Sequence, residues 1–184
     1  MTSAPTAEAV DALAESVWPR HCSRGVDGAM TIGGVDVRDI ASDHGSPVYV
    51  LDEEDLRSRA REYASAYRQA GASRVYYAAK AFLSVAVARW VFEEGLGIDV
   101  ASGGELAVAV RAGVPGDALL MHGNNKSMAE ITAAIEHGVG RIVVDSVEEL
   151  ARVVSAVWPG AGAERAQARP RGGRAERGRG GGAG

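Results

Sequence analysis

The sequence is short of cysteine, lysine and aromatic residues. A single cysteine, Cys22, stands in 184 residues, so no disulfide can close within the chain, which fits a reducing cytoplasm. No apolar run approaches the roughly 18 residues that a membrane span needs. Residues 1–20 carry Glu8, Asp11 and Glu15 and no unbroken apolar stretch, which argues against a secretory signal. His21 and His137 are isolated, without a ligand-spaced partner, so no metal site is expected. Gly33-Gly34 and Gly103-Gly104 fit no dinucleotide fingerprint. Lysine occurs only at Lys80 and Lys126; apart from histidine, every other basic residue is arginine. Chemistry that needs a side-chain amine therefore has two candidates.

Charge is unevenly placed. Six arginines against two glutamates give the stretch from Ser155 onward a balance of +4; the whole chain is −4, so residues 1–154 carry −8. An acidic body is a poor partner for nucleic acid. The basic tail holds the pairs Arg171-Gly-Gly173 and Arg179-Gly-Gly181, which offer a competing RNA-binding reading. That reading lacks support, because no aromatic residue follows Trp158 to stack on a base.

Apolar periodicity organises the rest. Residues 6–17 place Ala, Val and Leu at helical spacing up to Pro19, and the glycines of residues 21–40 imply turns and brief strands. Residues 47–51 read as a strand. A pattern then repeats. Helices are expected over residues 53–70, 84–94, 103–112 and 128–137, each stopped by a glycine, with another starting at Val147. Strands are expected over residues 74–80, 97–101, 118–122 and 141–144. Three helices open on the same device: Ser102 with Glu105, Ser127 with Glu130, and Ser146 with Glu149 form S-x-x-E capping boxes just after a strand. Consecutive strand–helix units imply an α/β fold with a parallel sheet covered by helices. A closed (β/α)8 barrel needs about 250 residues, and the four units here amount to roughly half of one. From Trp158 the chain is almost wholly Gly, Ala, Arg and Pro, a composition that cannot bury a core and is expected to be disordered. The expected division is an entry segment over 1–46, a partial barrel over 47–157 and a tail over 158–184.

Lys80 closes an apolar strand. A lysine there ordinarily just reaches water with its ammonium. Sites in parallel α/β folds, however, form at the C-terminal strand ends. Partial desolvation there favours the neutral amine that forms a Schiff base with a carbonyl. The surrounding residues decide between these readings. Val75-Tyr-Tyr-Ala-Ala-Lys80-Ala-Phe82 resembles the cofactor-lysine strand of the barrel-type, alanine racemase-like pyridoxal-phosphate (PLP) decarboxylases and racemases. Gly97-Ile-Asp-Val-Ala-Ser-Gly-Gly-Glu-Leu106, His122-Gly-Asn-Asn-Lys-Ser127 and Val143-Val-Asp-Ser-Val-Glu-Glu-Leu150 resemble the following strands of the decarboxylase branch. Gly33-Gly-Val-Asp-Val-Arg-Asp-Ile40, Gly45-Ser-Pro-Val-Tyr-Val-Leu51 and the Gly123-Asn-Asn-Lys-Ser127 element are similar to the diaminopimelate decarboxylases in particular.

The resemblance runs from about Gly25 to Val154. It implies the N-terminal half of a PLP-binding (β/α)8 TIM-type barrel, with PLP held as an internal aldimine on Lys80. It also implies decarboxylation of meso-2,6-diaminopimelate to L-lysine and CO2, the last step of lysine biosynthesis, and a cytoplasmic homodimer with no membrane. Asp99 matches a family acid close to the lysine and ring, but its position equally suits an aspartate bonded to backbone at a helix approach. Glu105 also matches a family acid, and its capping box is sufficient explanation. His122 and Lys126 read as loop residues, Lys126 with a solvated ammonium, and Cys22 as a bland thiol. The family's cofactor-stacking histidine, Gly-Gly-Gly phosphate loop and Glu-Pro-Gly-Arg segment have no counterpart. Nor do its C-terminal cysteine, the aspartate after it and the late tyrosine. An inactive truncated chain is thus a further reading. The change to an arginine–glycine tail is what a shifted reading frame in a GC-rich gene produces. Sequencing the encoding DNA is expected to reveal an intact downstream barrel in another frame, and its absence from all frames refutes the shift.

Overall fold

The structure, a computed structural model, describes Leu13 and residues 17–158. The helix expected over residues 6–17 and the disorder expected over 158–184 therefore lie almost wholly outside the described residues. Val17 is in a turn.

The entry segment forms a small antiparallel sheet of β1 (Cys22–Arg24), β2 (Met30–Ile32) and β3 (Val35–Asp36), in that order. Cys22 pairs with Ile32, and Thr31 with Asp36. Helix α1 (Val37–His44) follows, its first turn capped by the Asp36 carboxylate, which accepts from the Arg38 N–H. The strand expected over residues 47–51 does not form. A strand needs a ladder partner. Residues 50–51 instead face the first parallel strand across an apolar cavity of about 530 Å³, lined also by Leu56, Val75 and Tyr77.

Helix α2 (Glu53–Gln69) then begins the repeating architecture. Asp52 caps it by accepting from the Asp55 N–H. The parallel sheet has the order β4 (Tyr76–Ala78), β5 (Gly97–Val100), β6 (Leu119–Met121) and β7 (Arg141–Ile142). Between and after these strands come α3 (Val85–Glu93), α4 (Gly103–Arg111), α5 (Met128–Glu136) and α6 (Val147–Val157). The helix stops foreseen at Gly95 and Gly138 take φ of 91° and 66°, a region that glycine enters without a Cβ clash. Strands are shorter than expected. The first ends at Ala78, and residues 79–81 turn into a 3-10 helix that carries Lys80.

Register explains why the core sits on one face. Ile98 and Val100 of β5, with Leu119 and Met121 of β6, are wholly buried against helices that contribute Val87, Val91, Leu106, Ala109 and Ala134. The alternate residues form a second row: Ala78 pairs with Asp99, and Asp99 with Leu120. Side chains alternate faces along a strand, so Asp99 cannot share the core face of Ile98 and Val100.

All three serines cap their helices, but only one of the three expected boxes closes reciprocally. Ser127 and Glu130 make the complete reciprocal pair. Glu105 instead accepts from the Ala101 N–H (2.6 Å), and Glu149 from the Asp145 N–H (3.2 Å), each one residue before the cap. The second oxygens of Glu130 and Glu149 accept from the preceding unit, at the Gly103 N–H (2.9 Å) and the Lys126 N–H (2.9 Å).

Lys126 is not the solvated loop lysine that its sequence position suggests. It is 2% exposed and Glu149 0%. Its ammonium donates to the Gly123 carbonyl (2.8 Å), the Val143 carbonyl (2.6 Å) and Glu149 Oε2 (3.0 Å). Three donors meet three acceptors, which is the condition for keeping an ammonium out of water. Burial alone pushes the Glu149 carboxyl up. The hydrogen bonds from the Lys126 ammonium and from the Lys126 and Asp145 N–H groups overcome this and hold it at about 2, below its ordinary 4.5.

Two outcomes follow for stability. Ile98→Ala deletes a fully buried side chain and lowers the unfolding free energy by about 2–5 kcal/mol in urea titration, whereas Leu150→Ala, at a half-exposed position, shifts it by about 0.5 kcal/mol or less. Glu149→Gln leaves the Lys126 ammonium buried without its counter-charge and costs about 3–5 kcal/mol. Because the folded carboxyl is held low, its contribution is complete above about 4.5 and lost as pH falls toward about 2. Acid unfolding followed by circular dichroism is therefore steep in that window for the native chain and flatter for Glu149→Gln. Equal slopes exclude the pair as a stabilising element.

Candidate cofactor site at the strand ends

The C-terminal ends of β4, β5 and β6 bring three side chains to one edge of the sheet. Lys80 lies two residues beyond Ala78, the register partner of Asp99. His122 lies one residue beyond Met121, the register partner of Val100, and its N–H donates to the Val100 carbonyl (2.8 Å). Asp99 thus sits on the strand between the strands that lead to Lys80 and His122. Lys80 itself is exposed, so the burial expected to activate its amine is not supplied by the described residues.

Asp99 departs from the backbone-bonded alternative. No backbone group donates to its carboxylate among the described residues. Its Oδ1 is buried without a partner, and its Oδ2 faces His122 Nδ1 at 3.5 Å. A buried acceptor left unmade costs about 1–3 kcal/mol, and more when charged. Such an atom marks a place where a donor belongs. A PLP-bearing lysine and its amine substrate both present cationic N–H groups, so the donor chemistry of the expected cofactor fits this corner. The Glu105 carboxylate accepts from the Ala101 N–H and its own N–H donates to Ser102 Oγ, so it serves the start of α4 without the reciprocal box its sequence spacing suggests.

The loop carrying His122 is held rigidly. Lys126 fixes the Gly123 carbonyl, and the Asn125 side chain accepts from Arg152 (3.3 Å). Gly123, with φ of 88°, runs so close to the Ala101 carbonyl that a Cβ there would lie 2.3 Å from its oxygen. Two further side chains brace the same edge. Glu130 is held below the usual carboxylate range first by the Ser127 N–H and then by the Gly103 N–H. Tyr77, on β4, donates its hydroxyl to the Phe82 carbonyl (2.7 Å) across the turn that contains Lys80, and burial pushes its phenol up.

Sequence reasoning placed Lys80 and Asp99 here and set His122 aside as a loop residue. The signal that could have found His122 is its spacing: it closes the strand expected over residues 118–122 as Lys80 closes the strand expected over residues 74–80. His21 and Cys22 lie away from this edge. His21 Nδ1 meets the Asp52 carboxylate at 3.1 Å, and the Cys22 thiol is pushed up by burial and by Asp52 and Asp55, against thiolate reactivity. No group of three or more histidine, cysteine or acidic residues capable of holding a metal occurs among the described residues, and no described helix is long and apolar enough to cross a membrane.

Comparison with known proteins identifies the family. Residues 53–163 match the family described as pyridoxal-dependent decarboxylase, pyridoxal binding domain. The chain is 50% identical over 141 residues to the diaminopimelate decarboxylase of Mycobacterium bovis, covering 77% of this chain and 31% of that protein. It is 48% identical over 125 residues to that of Bacillus subtilis, covering 67% and 28%. It therefore spans about a third of the length of the curated relatives it matches. Its structure resembles the crystal structure of diaminopimelate decarboxylase from M. jannaschi, with a TM-score of 0.67 at 31% identity over 75% of this chain and 33% of that one. It also resembles lysine/ornithine decarboxylase from Vibrio vulnificus complexed with putrescine, with a TM-score of 0.55 at 28% identity over 66% and 32%. The expected barrel-type α/β class agrees with these neighbours, and the chain belongs to the pyridoxal-dependent decarboxylases through their pyridoxal-binding domain.

Proposed function

We propose that this chain carries the cofactor-lysine half of a diaminopimelate decarboxylase, with Lys80 as the PLP attachment site and Asp99 as its acidic neighbour. The supporting observation is the strand-end placement: an exposed lysine just beyond β4 and, on the neighbouring strand, a carboxylate whose buried Oδ1 has no donor among the described residues. The overall reaction is meso-2,6-diaminopimelate to L-lysine and CO2. The same reading divides the chain into an entry segment over 1–46, a partial barrel over 47–157 and a tail over 158–184, and it expects a cytoplasmic homodimer.

PLP, when bound, supplies the carbonyl that an amine engages and the ring that takes up the electron pair left by the departing carboxylate. The chain's own residues do the rest. Lys80 Nζ would be the amine that engages the cofactor's carbonyl. Asp99 Oδ1 accepts an N–H from the cationic nitrogen held beside it, which stabilises that charge. Lys80 Nζ would hold the cofactor and, when not so engaged, would be the group placed to carry a proton. Glu105, Glu130 and Lys126 take no direct part; they hold the loops from which these groups project.

The two lysines differ in access, and that makes the assignment testable. Lys80 is exposed, while Lys126 has all three donors engaged in a closed environment. Incubating the 184-residue chain with PLP, reducing with borohydride and mapping the modified peptide is expected to label Lys80. Lys80→Ala is expected to abolish that peptide's label. A label on Lys126, or one undiminished in Lys80→Ala, overturns the assignment. Turnover of meso-diaminopimelate by this chain is expected to fall far below that of a full-length relative, because β4 and β7 are open edges among the described residues and Lys80 is uncovered.

A further inference from the structure

Asp99 needs something to aim it. Its neighbours along the row, Ala78 and Leu120, offer no side-chain hydrogen bond, and no backbone group reaches its carboxylate among the described residues. The polar side chain that does face it is His122, at 3.5 Å from Nδ1 to Oδ2. That distance is long for a hydrogen bond, as pairs at empty reactive sites commonly are before a ligand tightens them.

His122 is well suited to the task. Its backbone is pinned by the Val100 carbonyl on one side, and the next residue is pinned by Lys126 on the other. Its side chain is 56% exposed, and its one side-chain approach among the described residues is to Asp99. A ring half in water and turned toward one carboxylate oxygen is not explained by core packing.

We propose that His122 is a positioning residue for the lysine-bound cofactor, acting through Asp99. Its Nδ1–H donates to Asp99 Oδ2, which fixes the rotation of the carboxylate. Oδ1 is thereby left free to receive a cationic N–H donor, the protonated nitrogen formed where Lys80 or an amine substrate meets PLP. The role selects the tautomer with hydrogen on Nδ1. Nothing is consumed and no bond is broken at His122. It orients an acceptor, as outer partners orient the ligands of a metal. The inference rests on Lys80 as the attachment site and adds to it a residue from the next-but-one strand.

The test uses the full 184-residue chain, titrated with PLP and followed by its visible absorbance, then reduced with borohydride and mapped. His122→Ala is expected to weaken adduct formation at Lys80 on the order of tenfold, in line with the loss of an orienting partner. His122→Asn places an amide N–H near the position of Nδ1 and is expected to restore affinity to within about threefold of the native chain. In an Asp99→Ala background, His122→Ala is expected to add no further loss, because its effect passes through the carboxylate. His122→Phe repeats the deletion with a ring of similar size. Thermal midpoints are measured in parallel, and a half-exposed site predicts little change. An unchanged adduct in both His122→Ala and His122→Phe overturns the inference and leaves Lys80 standing. Failure of His122→Asn to recover affinity, or additive losses with Asp99→Ala, also overturns it. Absence of any Lys80 adduct in the native chain overturns the attachment site itself, and the inference with it.

Discussion

The buried pair of Lys126 and Glu149 is the constraint on which the geometry of the strand-end loops depends. Moving two charges out of water costs several kcal/mol per ion, and a buried pair is often no more stabilising than a hydrophobic replacement. Here replacement is not simple. Lys126 also satisfies the carbonyls of Gly123 and Val143, and Glu149 also satisfies the N–H groups of Lys126 and Asp145. Apolar side chains of equal volume would orphan four backbone groups at once. The pair therefore joins the loop after β6 to the loop after β7 and to the start of α6, in one fully satisfied network. Lysine suits this place better than arginine. Three acceptors converge on a compact ammonium, whereas a planar guanidinium needs a broader fork.

The surface charges behave differently. Arg57 pairs with Glu93 and Glu94, and Arg61 with Glu94, tying α2 to the C-terminal end of α3. Side-chain hydrogen bonds from these arginines hold Glu94 below the usual carboxylate range, Arg61 foremost. Such exposed pairs contribute about 0–1 kcal/mol each and weaken with salt. They align neighbouring helices without fixing any loop. The scarcity of lysine acquires a meaning in this light: arginine serves the solvated positions, and the two lysines stand where an amine is needed for itself, one buried as a three-way donor and one at the candidate site.

Much of this was legible because it is local. Apolar spacing and a serine followed by glutamate three residues later located α4, α5 and α6 with their caps, since one turn of chain contains the whole signal. The resemblance around Lys80 singled out residues that lie at or just beyond the ends of β4 and β5. What escaped depends on distant partners. Residues 47–51 have the composition of a strand, yet no ladder forms without a neighbour in hydrogen-bonding register. The burial of Lys126 depends on Glu149, 23 positions away, and on the carbonyl of Val143. The unpaired oxygen of Asp99 and its approach to His122 arise from the register of two strands, which composition does not encode.

Orientation and desolvation are thus separable at this site. Lys80, Asp99 and His122 come from three successive strands, and the loops beneath them are fixed by bonds within the same half of the sheet. Their relative placement needs no closed barrel. Desolvation is another matter. Lys80 is exposed, and residues 48–51 beside β4 are exposed as well. Placement without cover permits slow attachment of an aldehyde and little more. On the proposed assignment of Lys80, the half that presents the lysine sets where chemistry occurs, while enclosure of that half sets how readily the amine reacts.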